Sequence, residues 1–132
     1  MTRLTPIRTP DAPQAIGPYS QGIRTDDFIF TSGQLPIGPD EELITDDIAR
    51  ATRQALENVF GVLGVAGAQP SDVVKVTIYL ADMDDFAAVN EIYGERFEDP
   101  YPARSCVEVS KLPKDASIMI DAIARVGAQG AT

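Results

Sequence analysis

The 132-residue chain is predicted to form one α+β domain spanning residues 1–132: a mixed β-sheet with two helices packed on one face, in the order β-β-α-β-α-β-β. Two observations predict it. Strand-like segments recur five times, most with apolar and polar residues alternating at a period of two, and two stretches between them repeat apolar residues at three- and four-residue spacing. A chain of this length buries roughly two-thirds of its unfolded surface, enough for an ordinary core. Hydrophobic residues make up 44% and charged residues 23%, a globular mixture that argues against disorder.

Taken in order, the opening is turn-rich, because Pro6, Pro10, Pro13, Gly17 and Pro18 prevent a long helix. Gly22-Ile-Arg-Thr and Phe28-Ile-Phe-Thr-Ser flank Asp26-Asp27 and read as a hairpin. From Thr45 the period becomes helical: Ile48, Ala55, Leu56, Val59, Phe60 and Leu63 fall on one stripe, with Asp46 and Asp47 in the first turn. Gly64 and Gly67 end this helix near residue 66. Val73 to Ala81 is a β-branched strand with Val74, Val76, Ile78 and Leu80 on one side. Asp82 caps a second helix whose inward stripe is Phe86, Val89, Asn90, Tyr93 and Phe97. Asp99-Pro-Tyr-Pro breaks it. Alternation resumes over 103–109, with Arg104, Cys106 and Glu108 facing away from Ser105, Val107 and Val109. The last strand, 117–126, sets Ile118, Ile120, Ala122 and Ala124 against Met119, Asp121, Ile123 and Arg125. Residues 127–132 read as a loose tail. The sheet face without helices then needs a cover, and its apolar residues point to a homo-oligomer.

Composition narrows the chemistry. Eleven Lys and Arg against 20 Asp and Glu give a net charge of −9, which repels nucleic-acid phosphates and anionic lipid. With no His, the chain lacks Ser-His-Asp and Cys-His nucleophile systems and the commonest zinc ligand. Its one cysteine, Cys106, forms neither an intrachain disulfide nor a thiolate metal site. Much hydrolase and metal chemistry is thereby excluded. The first residues have no signal-peptide pattern and no run approaches the ~20 apolar residues of a membrane span, so a cytoplasmic, membrane-free protein is expected.

A few residues are candidates for chemistry. Arg104 begins a strand after the Tyr101-Pro102 loop; its guanidinium suits either a two-pronged grip on a carboxylate or a structural ion pair with one of the acidic residues. Asn90 lies between Phe86 and Tyr93 on a face expected to be buried, so its amide needs a partner from the core or a ligand. Cys106 reads first as a small core hydrophobe and second as a nucleophile without a relay. Tyr19 is a hydroxyl on a turn, and Ser32-Gly33-Gln34 ends a strand at a glycine that leaves room beside the backbone.

Together, Ala15-Ile-Gly-Pro-Tyr-Ser-Gln-Gly, Thr31-Ser-Gly-Gln-Leu-Pro, Asp84-Asp-Phe-Ala-Ala-Val-Asn, Phe97 through Pro102-Ala-Arg-Ser-Cys-Val-Glu-Val, and Lys111-Leu-Pro-Lys-Asp resemble the Rid, or YjgF-like, family. Proteins of this family are reactive-intermediate deaminases, which hydrolyse enamines and imines of the 2-aminoacrylate type to 2-keto acids and ammonia. The resemblance implies a chorismate-mutase-like fold, a homotrimer with clefts between subunits, and no metal or organic cofactor. It also implies Arg104 and Cys106 as the catalytic residues, Arg104 holding the substrate carboxylate and Cys106 lending main-chain groups. Tyr19, Ser32, Gly33, Asn90, Tyr101 and Met119 would line the cleft.

One position departs from the family pattern. Deaminating members carry a glutamate in an Ile-Glu-Ile stretch of the last strand, where this chain reads Ile118-Met119-Ile120. A thioether neither takes a proton from water nor carries charge. Asp121 faces the same way but lies roughly 6–7 Å farther along the strand. Two functions therefore follow: an imine/enamine deaminase, or a non-catalytic protein that binds small 2-keto or amino acids through Arg104.

Overall fold

A computed structural model describes residues 3–127. The strands are β1 (Thr5–Ile7), β2 (Gly22–Arg24), β3 (Phe28–Thr31), β4 (Val73–Leu80), β5 (Ala103–Glu108) and β6 (Ile118–Arg125); the helices are α1 (Ile48–Val65) and α2 (Phe86–Arg96). They form one six-stranded sheet ordered β1-β2-β3-β6-β4-β5. All neighbouring pairs are antiparallel except β4 and β5, which run parallel across the α2 crossover. The mixed sheet with both helices on one face is the expected one.

The burial follows the alternation. Ile118, Ile120, Ala122 and Ala124 of β6, Val76, Ile78 and Leu80 of β4 and Ile29 of β3 are buried against Leu56, Val59, Val62 and Leu63 of α1. Each Leu, Ile or Val removed from water there contributes roughly 1.5–3 kcal/mol. On the opposite face of the sheet Phe28, Phe30 and Val107 are exposed, beside the half-buried Met119, Asp121 and Ile123. That face carries no helix.

Four details differ from the sequence reading. An additional strand, β1, pairs with β2 through Pro6 opposite Ile23, so the observed order begins with three strands. Proline is tolerated because an edge strand does not need its missing N–H. A bulge between Val73 and Lys75 turns Val74 outward and buries Val73 instead. Helix α1 starts at Ile48 rather than Thr45, because Asp47 is its cap: extended itself, it accepts hydrogen bonds from the backbone N–H groups of Ala49 (3.0 Å) and Arg50 (3.2 Å). Asp46 therefore lies outside the first turn, paired with Arg50 at 3.1 Å. Finally, Asn90 is exposed, at the rim of the α2 stripe rather than inside it.

The far end of α1 closes as its glycines predict. Gly67 has φ of +92°, and the N–H groups of Gly67 and Ala68 donate back to the carbonyls of Gly64 and Leu63. Asp82 does act as a cap, on a single 3₁₀ turn (Met83–Asp85) that leads into α2. Apart from Gly127, the expected tail lies outside the described residues.

Two buried amides tie the site-bearing loops to this frame. The side chain of Asn58 on α1 donates to the carbonyls of Leu35 and Ile37, both at 3.0 Å. That of Gln21 accepts from the Thr9 N–H at 2.8 Å and donates to the carbonyls of Thr9, Ala12 and Pro13. Among the described residues, no helix is long and apolar enough to cross a membrane.

Candidate active site

The predicted residues gather into two groups rather than one. The first stands on β5 and α2. Arg104 leaves the edge strand on the helix side of the sheet, the side on which Cys106 packs against the core. Its Nη1 donates to Oδ1 of Asn90 at 2.7 Å; since a guanidinium only donates, the amide oxygen must face it. The guanidinium carbon lies 5.4 Å from the centre of the Phe86 ring and 4.8 Å from that of Tyr93. Among the described residues no carboxylate lies within ion-pairing distance of Arg104. The structural ion pair is not found among the described residues. Tyr101, exposed in the connection from α2 to β5, lies between the α2 members of this group and Arg104 in the chain.

Cys106 is half-buried beneath the same strand. Burial pushes its thiol above the ordinary range, and the Arg104 charge opposes this less strongly. It is a protonated thiol near neutral pH, not an activated nucleophile.

The second group lies where the Tyr19 loop meets β3 and β6. The Ser32 hydroxyl donates to the carbonyl of Ser20, and the Ser32 N–H donates to that of Gln21 at 2.9 Å, which fastens the segment carrying the exposed Tyr19. Gln34 exchanges two main-chain hydrogen bonds with Ile120, at 2.7 and 3.1 Å. This bridge holds Gly33 beside Met119: a Cβ on Gly33 would lie only 2.6 Å from the Met119 sulfur. The close approach favours a glycine at position 33, two residues past the end of β3.

By strand alternation Met119 and Asp121 point to the open face, whereas Arg104 points to the helix side. A single chain does not bring the two groups together. Asp121, two positions from Met119, accepts a hydrogen bond from the Tyr79 hydroxyl at 3.1 Å. A shallow cleft of about 660 Å³ between residues 38–46 and α1 holds none of the predicted residues. Among the described residues no cluster of His, Cys, Asp or Glu could hold a metal ion.

Burial holds the Asp121 carboxyl above the usual carboxylate range, against the opposing effects of the Tyr79 hydrogen bond and the Lys75 charge. A folded state that holds this proton more tightly than the unfolded chain gains its full stabilisation below about pH 4 and loses it as pH rises through the folded value. The stability of Asp121→Asn relative to the parent protein is therefore expected to rise between about pH 4 and about pH 7. Urea unfolding at the two values checks this, and a relative stability that falls would contradict it.

The inward stripe expected for α2 holds for both rings, with Tyr93 in the core and Phe86 packed against it, but the sequence reading missed that the same rings flank Arg104. The signal was the amide lying between them on an otherwise apolar stripe. The clamping roles of Gln21 and Asn58 left no comparable trace.

The sequence pattern described as Endoribonuclease L-PSP matches residues 9–126. The chain belongs to this family. Its Rid membership follows as well. The RutC family protein PH0854 of Pyrococcus horikoshii is 53% identical over 119 residues, covering 89% of this chain and 94% of the relative. A 2-iminobutanoate/2-iminopropanoate deaminase of Salmonella typhimurium is 46% identical over 121 residues, again 89% of this chain and 94% of the relative. The crystal structure of Escherichia coli TdcF with bound serine superposes with a TM-score of 0.87 at 40% identity, covering 93% of this chain and 99% of that one. This L-PSP family chain therefore shares its fold with that structure over 93% of its length.

Proposed function

We propose that this protein hydrolyses reactive 2-imino and 2-enamino acids to 2-keto acids and ammonia, with Arg104 holding the substrate carboxylate. The observation that carries the reading is Arg104 itself, a guanidinium tied to a neutral amide, exposed, and without an acidic partner among the described residues. A free cation of this kind, in a chain of net charge −9, suits a small anion. The Salmonella relative's deaminase name and the serine bound to TdcF, an amino acid with a carboxylate, support the same direction.

In the reaction, water adds to the carbon of the C=N bond, the nitrogen takes up protons, and ammonia leaves as the carbon–oxygen double bond forms. The imine is already electrophilic, so orientation carries much of the catalysis and no activated nucleophile is required. Arg104 fixes the carboxylate, Asn90 fixes Arg104, and main-chain groups at Cys106 and Gly33 face the reacting end. Tyr19, Ser32, Tyr101 and Met119 wall the cleft. Because the two groups of residues lie on opposite faces of the sheet, the reading places each cleft between neighbouring copies in a homotrimer, with the uncovered face bearing Phe30 and Val107 buried there. RNA cleavage is not carried over from the family's description: a net charge of −9 and no His supply neither steering nor an acid/base pair.

A second reading rests on Met119, which cannot hold a water as the family's glutamate does: a binding protein for small 2-keto or amino acids. Turnover decides between them. With 2-iminopropanoate generated in situ by an amino-acid oxidase, the protein is expected to accelerate formation of the keto acid. No acceleration by the parent chain or by Met119→Glu would leave only the binding reading.

A further inference from the structure

Phe86, Asn90 and Tyr93 stand at positions i, i+4 and i+7 of α2 and so present one face to Arg104. An arginine in a chain with 20 acidic residues would ordinarily be neutralised by one of them. Here its neighbours are two rings and an amide. An aromatic face attracts a cation through the quadrupole of the ring, yet it offers no carboxylate oxygen to take up the guanidinium N–H groups. The single hydrogen bond to Asn90 uses Nη1 and leaves Nε and Nη2 without a partner among the described residues.

The Tyr93 hydroxyl sharpens the point. It is buried and has no hydrogen-bond partner among the described residues, although a buried hydroxyl ordinarily finds one. The contact of Tyr93 with Arg104 is therefore made by the ring, and among the described residues the hydroxyl makes no hydrogen bond to it.

We propose that Phe86 and Tyr93 are positioning residues for carboxylate recognition: their rings hold the Arg104 guanidinium at the orientation in which its Nε and Nη2 edge meets the substrate, without consuming its charge. The proposal rests on the reading of Arg104 as the carboxylate anchor and adds the residues that orient it. Asn90 sets one corner of the group, and the rings set its inclination.

Titration with 2-ketobutyrate, followed by NMR on samples whose spectra report the folded state, tests it. Phe86→Leu and Tyr93→Leu are each expected to weaken binding about fivefold, the worth of one cation–π contact, while Tyr93→Phe stays within about twofold of the parent because the ring remains. A merely structural role would not separate Tyr93→Leu from Tyr93→Phe in affinity. If Tyr93→Leu does not fold, the half-buried Phe86 carries the comparison alone. Parent-like binding by Phe86→Leu and Tyr93→Leu, with Arg104→Ala binding lost, would overturn the positioning role and leave the anchor standing. Loss in Tyr93→Phe equal to that in Tyr93→Leu would also overturn it, by assigning the effect to the hydroxyl. Parent-like binding by Arg104→Ala would instead remove the anchor, and the proposal with it.

Discussion

Arg104→Ala is expected to lose about 100-fold in affinity for 2-ketobutyrate and a similar factor in any turnover of 2-imino acids, while remaining folded. Truncating one partner of a hydrogen-bonded charge pair costs roughly 2–5 kcal/mol, and each 1.4 kcal/mol is a factor of ten. The fold should tolerate the change because the side chain stands exposed on an edge strand, where it loses one hydrogen bond to Asn90 and two ring contacts. Arg104→Lys restores the charge but not the fork, so it should recover only part of the affinity. Calorimetric titration alongside thermal unfolding separates the outcomes. An Arg104→Ala protein that unfolds, or that binds as the parent does, contradicts the anchor.

The second large effect is a gain. Met119→Glu places a carboxylate where a thioether now lies against Gly33, and a positioned proton acceptor contributes typically 10²–10⁴-fold to such a step. Part of this requires a geometry that one substitution does not tune, so a rise in kcat for 2-iminopropanoate of at least about tenfold is expected. KM should change little if, as proposed, Arg104 supplies the ground-state grip on the carboxylate. Asp121 does not substitute for the missing glutamate: its carboxylate is engaged by Tyr79 and lies two positions along β6. A variant slower than the parent would mean that Met119 is itself the fitted wall of the cleft.

Periodicity carried most of the fold. The alternation in β6 and β4 and the stripe on α1 reflect burial against a single core, and a period of two or 3.6 is what burial leaves in a sequence. Features that depend on one residue's local choice were harder to read. Pro6 hid β1, because a proline in a strand is acceptable only at an edge, and being an edge is a property of the finished sheet. The bulge at Val74 inverted one residue of an otherwise regular run. Asp47, rather than Asp46, became the cap, since only one of two adjacent carboxylates reaches the free N–H groups.

The candidate site was legible as a set of residue types and not as a place. Arg104 stood out because a cation next to a Pro-rich loop invites a partner, and the partner proved to be an amide. That Asn90 meets it depends on packing α2 against β5, which the stripe suggested but did not fix. Neither did any motif reveal that Met119 and Arg104 leave the sheet on opposite faces; this follows from strand parity and from the helices covering one side only.

The central claim is that the carboxylate anchor of one copy meets the Gly33 and Met119 group of another. Mixed oligomers test it most directly. Arg104→Ala removes one group, and Gly33→Leu, whose side chain must displace Met119, fills the other. Each variant alone is expected to bind 2-ketobutyrate about 100-fold more weakly than the parent, but co-expressed at equal levels under two affinity tags and purified through both, they should regain roughly a third of the sites, because in a trimer containing both chains one of the three interfaces joins two intact halves. Recovery of none, in oligomers shown to contain both chains, would place the site within a single chain and contradict the account.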